Sequence, residues 1–165
     1  MNEDDLKQML DAPVRERGRQ FEDFEIGQEI VHHWGRTLTE ADSVLFSTLT
    51  LFYTPTYTNT DYAKALGYER APINPMLVFN TIVGLSVEDL SEAGGPFLGI
   101  GKLAYGVPVY PGDTLYATST VLSKRVASSG SAGPVGWRTV GTNQRGEVVV
   151  SFERTNLIRM RNKSA

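Results

Sequence analysis

Few side chains in this 165-residue chain can act as an acid, a base or a nucleophile near neutral pH. There is no cysteine, so a thiolate nucleophile, a thiolate metal site and a disulfide are excluded. The two histidines, His32 and His33, are adjacent, which argues against a metal site built from several histidines. In a strand their side chains would point to opposite faces. We therefore expect at least one of them to be exposed, neither to be catalytic, and no metal to be bound.

Two asparagines and a tyrosine are further candidates for a catalytic role, and each can also be explained by a purely structural role. Asn80 interrupts an apolar stretch, where a buried amide needs hydrogen-bond partners and can fasten a helix to a strand. Asn74 is a residue type that often caps a helix. Tyr57 lies in an irregular stretch rich in threonine and aromatic residues, where it can simply pack.

The stretch that follows Asn74 predicts a buried central helix. Eight of the twelve residues in 76–87 are strongly apolar, and they fall on nearly every side of a helical wheel. The stretch is shorter than the roughly 20 apolar residues that a membrane span needs. Pro75 suits the first turn of a helix, and two glycines at 94–95 are expected to end it.

Two shorter helices are predicted before the central one. A strand over 28–38 leads into the first, which Thr39 and Asp42 start as a capping box. Its apolar face is expected to consist of Val44, Leu45, Leu49 and Leu51. The second begins at Asn59 or Thr60 and ends at Gly67.

After the central helix, β-branched and aromatic residues predict four strands, over 97–109, 114–126, 135–143 and 148–160. The expected fold class is α+β, with a curved antiparallel sheet wrapped around one long helix. Residues 1–20 are expected to form a charged N-terminal arm and residues 21–165 a single domain.

The charge of the chain restricts its partners. A net charge of −3 and an isoelectric point of about 5.4 argue against nucleic acid, because phosphate binding needs a concentrated basic surface. The first residues have neither the basic nor the apolar region of a signal peptide. We therefore expect a cytoplasmic protein that binds neither nucleic acid nor a membrane.

The order of these elements is that of a hot-dog fold, and at the level of motifs the chain resembles the MaoC-like hydratase and dehydratase family. No single motif is specific, but five occur in the family's order between residues 21 and 160. They are Phe-Glu-Asp-Phe-Glu-Ile-Gly-Gln (21–28), Arg-Thr-Leu-Thr-Glu-Ala-Asp (36–42), Thr-Pro-Thr-Tyr-Thr-Asn-Thr-Asp-Tyr-Ala (54–63), Asn-Pro-Met-Leu (74–77) and Val-Pro-Val-Tyr-Pro-Gly-Asp-Thr-Leu (107–115).

The resemblance implies an activity and its requirements. Such proteins add water to a 2-enoyl thioester of coenzyme A or an acyl carrier protein, or remove water from the corresponding 3-hydroxyacyl thioester, without a metal or redox cofactor. An aspartate and a histidine hold and deprotonate the water, and a backbone N–H at the start of the central helix stabilises the thioester oxygen. The site usually lies at a dimer interface, so a homodimer is expected.

This chain differs from the family at the catalytic positions. Phe52 stands at the position of the aspartate, Tyr57 at that of the histidine, Thr54 at that of an asparagine, and Pro75 at that of a helix-start glycine. Proline has no N–H to donate, and tyrosine, with an ordinary pKa of about 10, is a poor base at neutral pH. On this alignment Phe52, Thr54, Pro75 and Met76 are expected to contact substrate.

Three functions remain open. The chain can be a hydratase with rearranged chemistry, in which Tyr57 acts as the acid or positions the water and Asn74 or Asn80 completes the site. It can be a catalytically silent, thioester-binding subunit of a hetero-oligomeric hydratase. It can also be a binding module or a thioesterase, although Glu88 and Asp89 lie too near the end of the central helix for the latter.

Overall fold

The structure is a computed structural model, and it describes residues 18–161. Most of the predicted N-terminal arm, residues 1–17, therefore lies outside the described residues. The strands are β1 (Glu29–Val31), β2 (Arg36–Thr37), β3 (Phe97–Tyr105), β4 (Thr114–Lys124), β5 (Ala132–Asn143) and β6 (Val148–Arg159). The helices are α1 (Glu40–Leu49), α2 (Thr60–Ala65) and α3 (Pro75–Leu90), with 3₁₀ turns at Phe21–Asp23 and Pro55–Tyr57.

One antiparallel sheet carries the long helix α3. The strand order is β1-β4-β5-β6-β3, and β2 also pairs with β4. Helix α3 packs against β4, β5 and β6. The predicted arrangement of one long helix on a curved antiparallel sheet is therefore confirmed.

Helix α3 begins where the sequence predicts. The side chain of Asn74 accepts a hydrogen bond from the N–H of Met76, and Pro75 occupies the first turn. Val78, Phe79 and Ile82 are buried in the core between the helix and the sheet. The opposite side of the helix is more exposed, because the sheet covers only one side of it.

Glycine 141 allows α3 to approach β5 closely. A Cβ atom built on Gly141 would lie 2.6 Å from Cγ1 of Ile82 and 2.7 Å from its Cδ1. Both distances are shorter than real Cβ contacts, and Ile82 is fully buried. Glycine is therefore the residue that lets the backbone of β5 approach the helix at this point.

Two local predictions have different outcomes. The capping box of α1 is confirmed, since Thr39 Oγ1 accepts from the N–H of Asp42 and Asp42 Oδ2 accepts from the N–H of Thr39. The single strand predicted over 28–38 is wrong. The structure has two short strands that both pair with β4, and residues 32–35 separate them.

Helix α1 and strand β3 each expose several large apolar side chains. On α1, the expected apolar face does not enter the core, and Leu49 is 73% exposed. Among residues 18–161, β3 pairs only with β6, which leaves its other edge unpaired there. Its exposed apolar residues are Phe97, Leu98, Ile100, Leu103 and Tyr105. A free edge with exposed apolar side chains is typical of a surface that another protein chain or domain covers.

Candidate active site

A pocket of about 230 Å³ lies at the beginning of α3. Five parts of the chain form it: the 3₁₀ turn at Pro55–Tyr57, the chain leading to α3, the first turns of α3, the end of β3 with the segment after it, and the start of β6. The lining residues are Tyr57, Tyr68, Pro72, Ile73, Pro75, Val78, Tyr105, Gly106, Val107, Pro108, Val109 and Val149. None of these is an aspartate, a glutamate, a histidine, a lysine or an arginine, so the wall of the pocket carries no charge at neutral pH.

The structure places Tyr57 in this pocket. The turn that carries it is closed by hydrogen bonds from the N–H of Tyr57 to Thr54 O and from the N–H of Thr58 to Pro55 O. Burial, together with the neighbouring Tyr68, raises the pKa of the Tyr57 phenol above its ordinary value. The phenol is therefore neutral at pH 7, and it can donate a hydrogen bond but cannot act as a base.

Two further tyrosines, which the sequence reasoning missed, share the pocket. Tyr68 precedes α3, and Tyr105 is the last residue of β3. The hydroxyl of Tyr105 lies 3.4 Å from Sδ of Met76, and burial raises the pKa of this phenol as well. Nothing local in the sequence distinguishes either residue from a packing tyrosine, because only the tertiary structure brings them beside Tyr57.

Asn74 is fully buried next to the pocket, and its polar groups are already bonded. Its Oδ1 accepts from the N–H of Met76 at 2.9 Å, and its Nδ2 donates to Ser47 Oγ at 3.3 Å. Its own N–H donates to Ser43 Oγ at 3.3 Å. This geometry favours a role in joining α1 to the start of α3.

Asn80 is not part of the pocket. Its Nδ2 donates to Met76 O one turn earlier in α3, and its side chain is exposed. It lines a separate open groove along the outer side of the helix, together with Trp34 and Gly84. The structure therefore does not bring Asn80 together with Tyr57.

The four residues expected to contact substrate do not all lie in the pocket. Pro75 lines the pocket, and Met76 contacts the hydroxyl of Tyr105. The ring of Phe52 packs against that of Tyr57, with centroids 5.8 Å apart. Thr54 is exposed and contributes its carbonyl to the turn but does not line the pocket.

The first N–H groups of α3 are not free to stabilise an oxyanion. Pro75 has none, the N–H of Met76 donates to Asn74 Oδ1, and the N–H of Leu77 donates to Asn74 O at 2.9 Å. An oxyanion hole needs preorganised donors aimed at the oxygen. The start of this helix lacks that arrangement.

The histidines lie at the other end of α3. Nδ1 of His32 is 2.8 Å from Asp89 Oδ2, and its Nε2 is 2.8 Å from Ser119 Oγ, which in turn is 2.8 Å from Thr139 Oγ1. All four side chains are buried. Although this order of groups resembles a serine-hydrolase triad, none of the four residues lines the pocket at the start of α3. It joins the end of α3 to β4 and β5.

His33 is half-buried, and its ring nitrogens lie 3.6 and 3.7 Å from carboxylate oxygens of Glu88 and Asp89. It is therefore partly exposed, and like His32 it lies away from the pocket. Within residues 18–161, no three histidine, aspartate or glutamate side chains are grouped so that they could hold a metal ion.

Comparison with known proteins identifies the family. A model of the mesaconyl-CoA hydratase family matches residues 2–165. A β-methylmalyl-CoA dehydratase of Chloroflexus aurantiacus is 41% identical over 148 residues, which cover 90% of this chain and 42% of the relative. The chain thus spans less than half the length of that relative.

Solved structures agree with this result. The crystal structure of a MaoC domain protein from Chloroflexus aurantiacus superposes with a TM-score of 0.84 at 40% identity and covers 90% of this chain and 42% of that one. A Mycobacterium tuberculosis protein with a double hotdog fold, at 20% identity and a TM-score of 0.78, supports the fold alone; it covers 90% of this chain and 46% of that one.

The fold and the sequence together define a MaoC-like hot-dog protein, and the chain belongs to the mesaconyl-CoA hydratase family within that class. The predicted resemblance and the hot-dog fold are therefore confirmed. Among residues 18–161, no helix is long and apolar enough to cross a membrane.

Proposed function

We propose that this chain is the thioester-binding unit of a coenzyme A thioester hydratase or dehydratase, and that a second hot-dog unit supplies the acid and the base. The observation that carries the proposal is the pocket at the start of α3, which has the expected position but no ionisable group suited to act as a base. Hydration requires a base that deprotonates water and an acid that protonates the α-carbon. The tyrosine hydroxyls of the pocket can donate and accept hydrogen bonds, but they do not supply such a base.

Tyr57 has a defined role in this proposal. Its neutral phenol donates a hydrogen bond to the thioester carbonyl, replacing the backbone N–H that Pro75 lacks. Phe52 packs against the Tyr57 ring and holds it in place. The acyl group then lies against Val78 and Val149 at the wall of the pocket.

The second unit is proposed from the exposed surfaces. The free edge of β3 and the exposed apolar residues of α1 offer a surface for another hot-dog unit. The curated relative has more than twice the length that this chain covers, which leaves room for two such units. We propose a different hot-dog sequence as the second unit, because another copy of this chain would again carry Phe52 and Tyr57 at the positions of the aspartate and the histidine.

The names of the relatives suggest a substrate class. Mesaconic and methylmalic acids are dicarboxylic, so a thioester formed at one carboxyl leaves the other free. We propose a thioester of coenzyme A as the ligand, and an acyl-carrier-protein thioester as the alternative carrier.

The experiment measures binding and turnover separately. Calorimetry with butyryl-CoA, which cannot be hydrated, reports binding by the purified chain. Loss of the conjugated-thioester absorbance of 2-enoyl-CoA substrates, including mesaconyl-CoA, reports turnover. The variants are Tyr57→Phe and, as a matched control, Tyr62→Phe, which lies on the exposed side of α2.

The expected result is that the chain binds butyryl-CoA without turning over any 2-enoyl-CoA, and that only Tyr57→Phe weakens binding, by roughly 3- to 10-fold for one neutral hydrogen bond. Turnover by the chain alone that disappears in Tyr57→Phe would instead establish a hydratase with rearranged chemistry. Absence of binding to both coenzyme A and carrier-protein thioesters would refute the proposal.

A further inference from the structure

Arg154 is a buried cation without a carboxylate partner. It lies on the inward face of β6, and only 2% of its surface is exposed. In residues 18–161 no carboxylate oxygen lies within 4 Å of its guanidinium. Its one hydrogen bond there runs from Nη2 to Ser86 O on α3, at 3.4 Å. Burying a charge costs several kcal/mol unless a partner compensates it.

Unpaired polar atoms lie at the positions next to this guanidinium. Within residues 18–161, Nε of Arg154 has no hydrogen-bond partner, and neither has Nε1 of Trp137, the residue directly opposite it on β5. The guanidinium carbon lies 5.7 Å from the centre of the Trp137 ring. Asn156, the next inward residue of β6, has an unpaired amide oxygen. Buried donors are almost always paired, so several unpaired groups at one place indicate a ligand.

The neighbouring charges do not neutralise Arg154. Asp89 lies three residues after Ser86 on α3, but its carboxylate bonds to His32. Arg154 is close enough to His32 to oppose its protonation. Burial lowers the pKa of Arg154 to about 10, so the guanidinium still carries its charge at neutral pH. The surroundings therefore present a full positive charge and two free N–H donors.

We propose that Arg154 and Trp137, flanked by Asn156, form a buried binding site for a small anion of the carboxylate class. Guanidinium and indole N–H groups are donors only, and a carboxylate accepts from both. The primary amide of Asn156, turned by half a rotation, presents a third donor.

The carboxylate has two possible sources. One is a free small anion. The other, which depends on the proposed function, is the second carboxylate of a dicarboxylic acyl thioester. Phe79 and Phe152 lie between this site and the pocket at the start of α3, with ring centroids 5.0 Å apart. A bound acyl chain reaches Arg154 only if these two rings move, whereas a free anion does not need the thioester pocket.

The first arm of the experiment uses formate. The Tm of the full chain is measured from 0 to 100 mM sodium formate, with bulky gluconate keeping the ionic strength constant. For a millimolar site, wild type is expected to show a rise of roughly 5 °C at 100 mM formate, following the logarithm of 1 + [formate]/Kd. Arg154→Met should abolish the rise. Arg138→Met, on the exposed face of β5 beside Trp137, should retain it.

The second arm compares succinyl-CoA with butyryl-CoA by calorimetry, since the two differ by a terminal carboxylate. If the acyl group supplies the anion, wild type binds succinyl-CoA at least tenfold more tightly, and Arg154→Met binds the two equally. Equal binding of both thioesters by wild type, together with a formate response, assigns the site to a free anion. Binding of butyryl-CoA by itself tests the proposed function. A failure of the proposed function can therefore be distinguished from a failure of the anion-site proposal.

If Arg154→Met does not fold, Trp137→Phe keeps the ring and removes only the N–H, and it should weaken the anion effect several-fold. The inference is overturned if the Tm of wild type does not rise with formate and wild type does not discriminate between the thioesters. It is also overturned if Arg154→Met or Trp137→Phe, once folded, responds as wild type does.

Discussion

The close approach of α3 to β5 predicts that Gly141→Ala destabilises the protein. The added Cβ would lie 2.6 Å from Cγ1 and 2.7 Å from Cδ1 of Ile82, and 3.1 Å from Cγ1 of Val150. Both neighbours are fully buried, so neither can turn toward solvent. Overpacking of this kind lowers the free energy of unfolding by about 1–3 kcal/mol. Replacing glycine by alanine also reduces the conformational entropy of the unfolded chain, which offsets about 0.4–1 kcal/mol of that loss. We therefore expect a net loss of about 1–2 kcal/mol.

The free energy of unfolding is measured by urea denaturation at a fixed protein concentration, with fluorescence of the buried Trp137 as the signal. The expected loss corresponds to a decrease in Tm of roughly 2–8 °C for a chain of this size. The matched control is Gly84→Ala on α3, where an added Cβ meets nothing within 4 Å. That change should be neutral or stabilise the helix by about 0.5–1 kcal/mol.

A double-mutant cycle identifies the contact responsible. Ile82→Val removes Cδ1, one of the two closest atoms, and normally costs about 0.5–1.5 kcal/mol in a core. In the Gly141→Ala background it should cost less, because it also relieves the overlap, which gives a coupling energy of at least about 0.5 kcal/mol. If Gly141→Ala is as stable as wild type, or if the two changes are additive, the inferred contact between α3 and β5 is incorrect.

Two further predictions follow from buried polar groups. Asn74→Ala should lower the free energy of unfolding by about 1–3 kcal/mol, because it removes the cap on Met76 N–H and leaves Ser47 without its bond. The control Asn80→Ala removes an exposed hydrogen bond and should cost less than about 0.5 kcal/mol in the same urea assay. Equal effects of the two changes would contradict the structural role of Asn74. Burial lowers the pKa of His32, against the opposing effect of its carboxylate partner, so below pH 6.5 the unfolded chain takes up a proton that folded His32 resists. Stability should therefore fall as the pH decreases from about 6.5 toward the lower folded pKa, and His32→Gln should flatten this part of the profile of Tm against pH, whereas an unchanged slope would contradict the assignment.

The sequence by itself determined the main helices and strands and their order, although not the division of residues 28–38 into β1 and β2. Local patterns sufficed for α3, since its apolar residues, Asn74 and Pro75 are contiguous in the chain. The same holds for the capping box of Thr39 and Asp42 and for the strands after α3, because capping and alternation depend on neighbouring residues. The ordered motifs were enough to recognise the MaoC-like family.

Only the tertiary structure decided which side chains meet. Tyr57, Tyr68 and Tyr105 share one pocket because a turn, a loop and the end of β3 converge at the start of α3. The burial of His32 could not be predicted either, because its partners Asp89 and Ser119 lie 57 and 87 residues away. Strand alternation allows Arg154 to face either side of the sheet, and it is the packing of α3 that encloses this charge. Such contacts depend on long-range packing, which residue type and spacing do not specify.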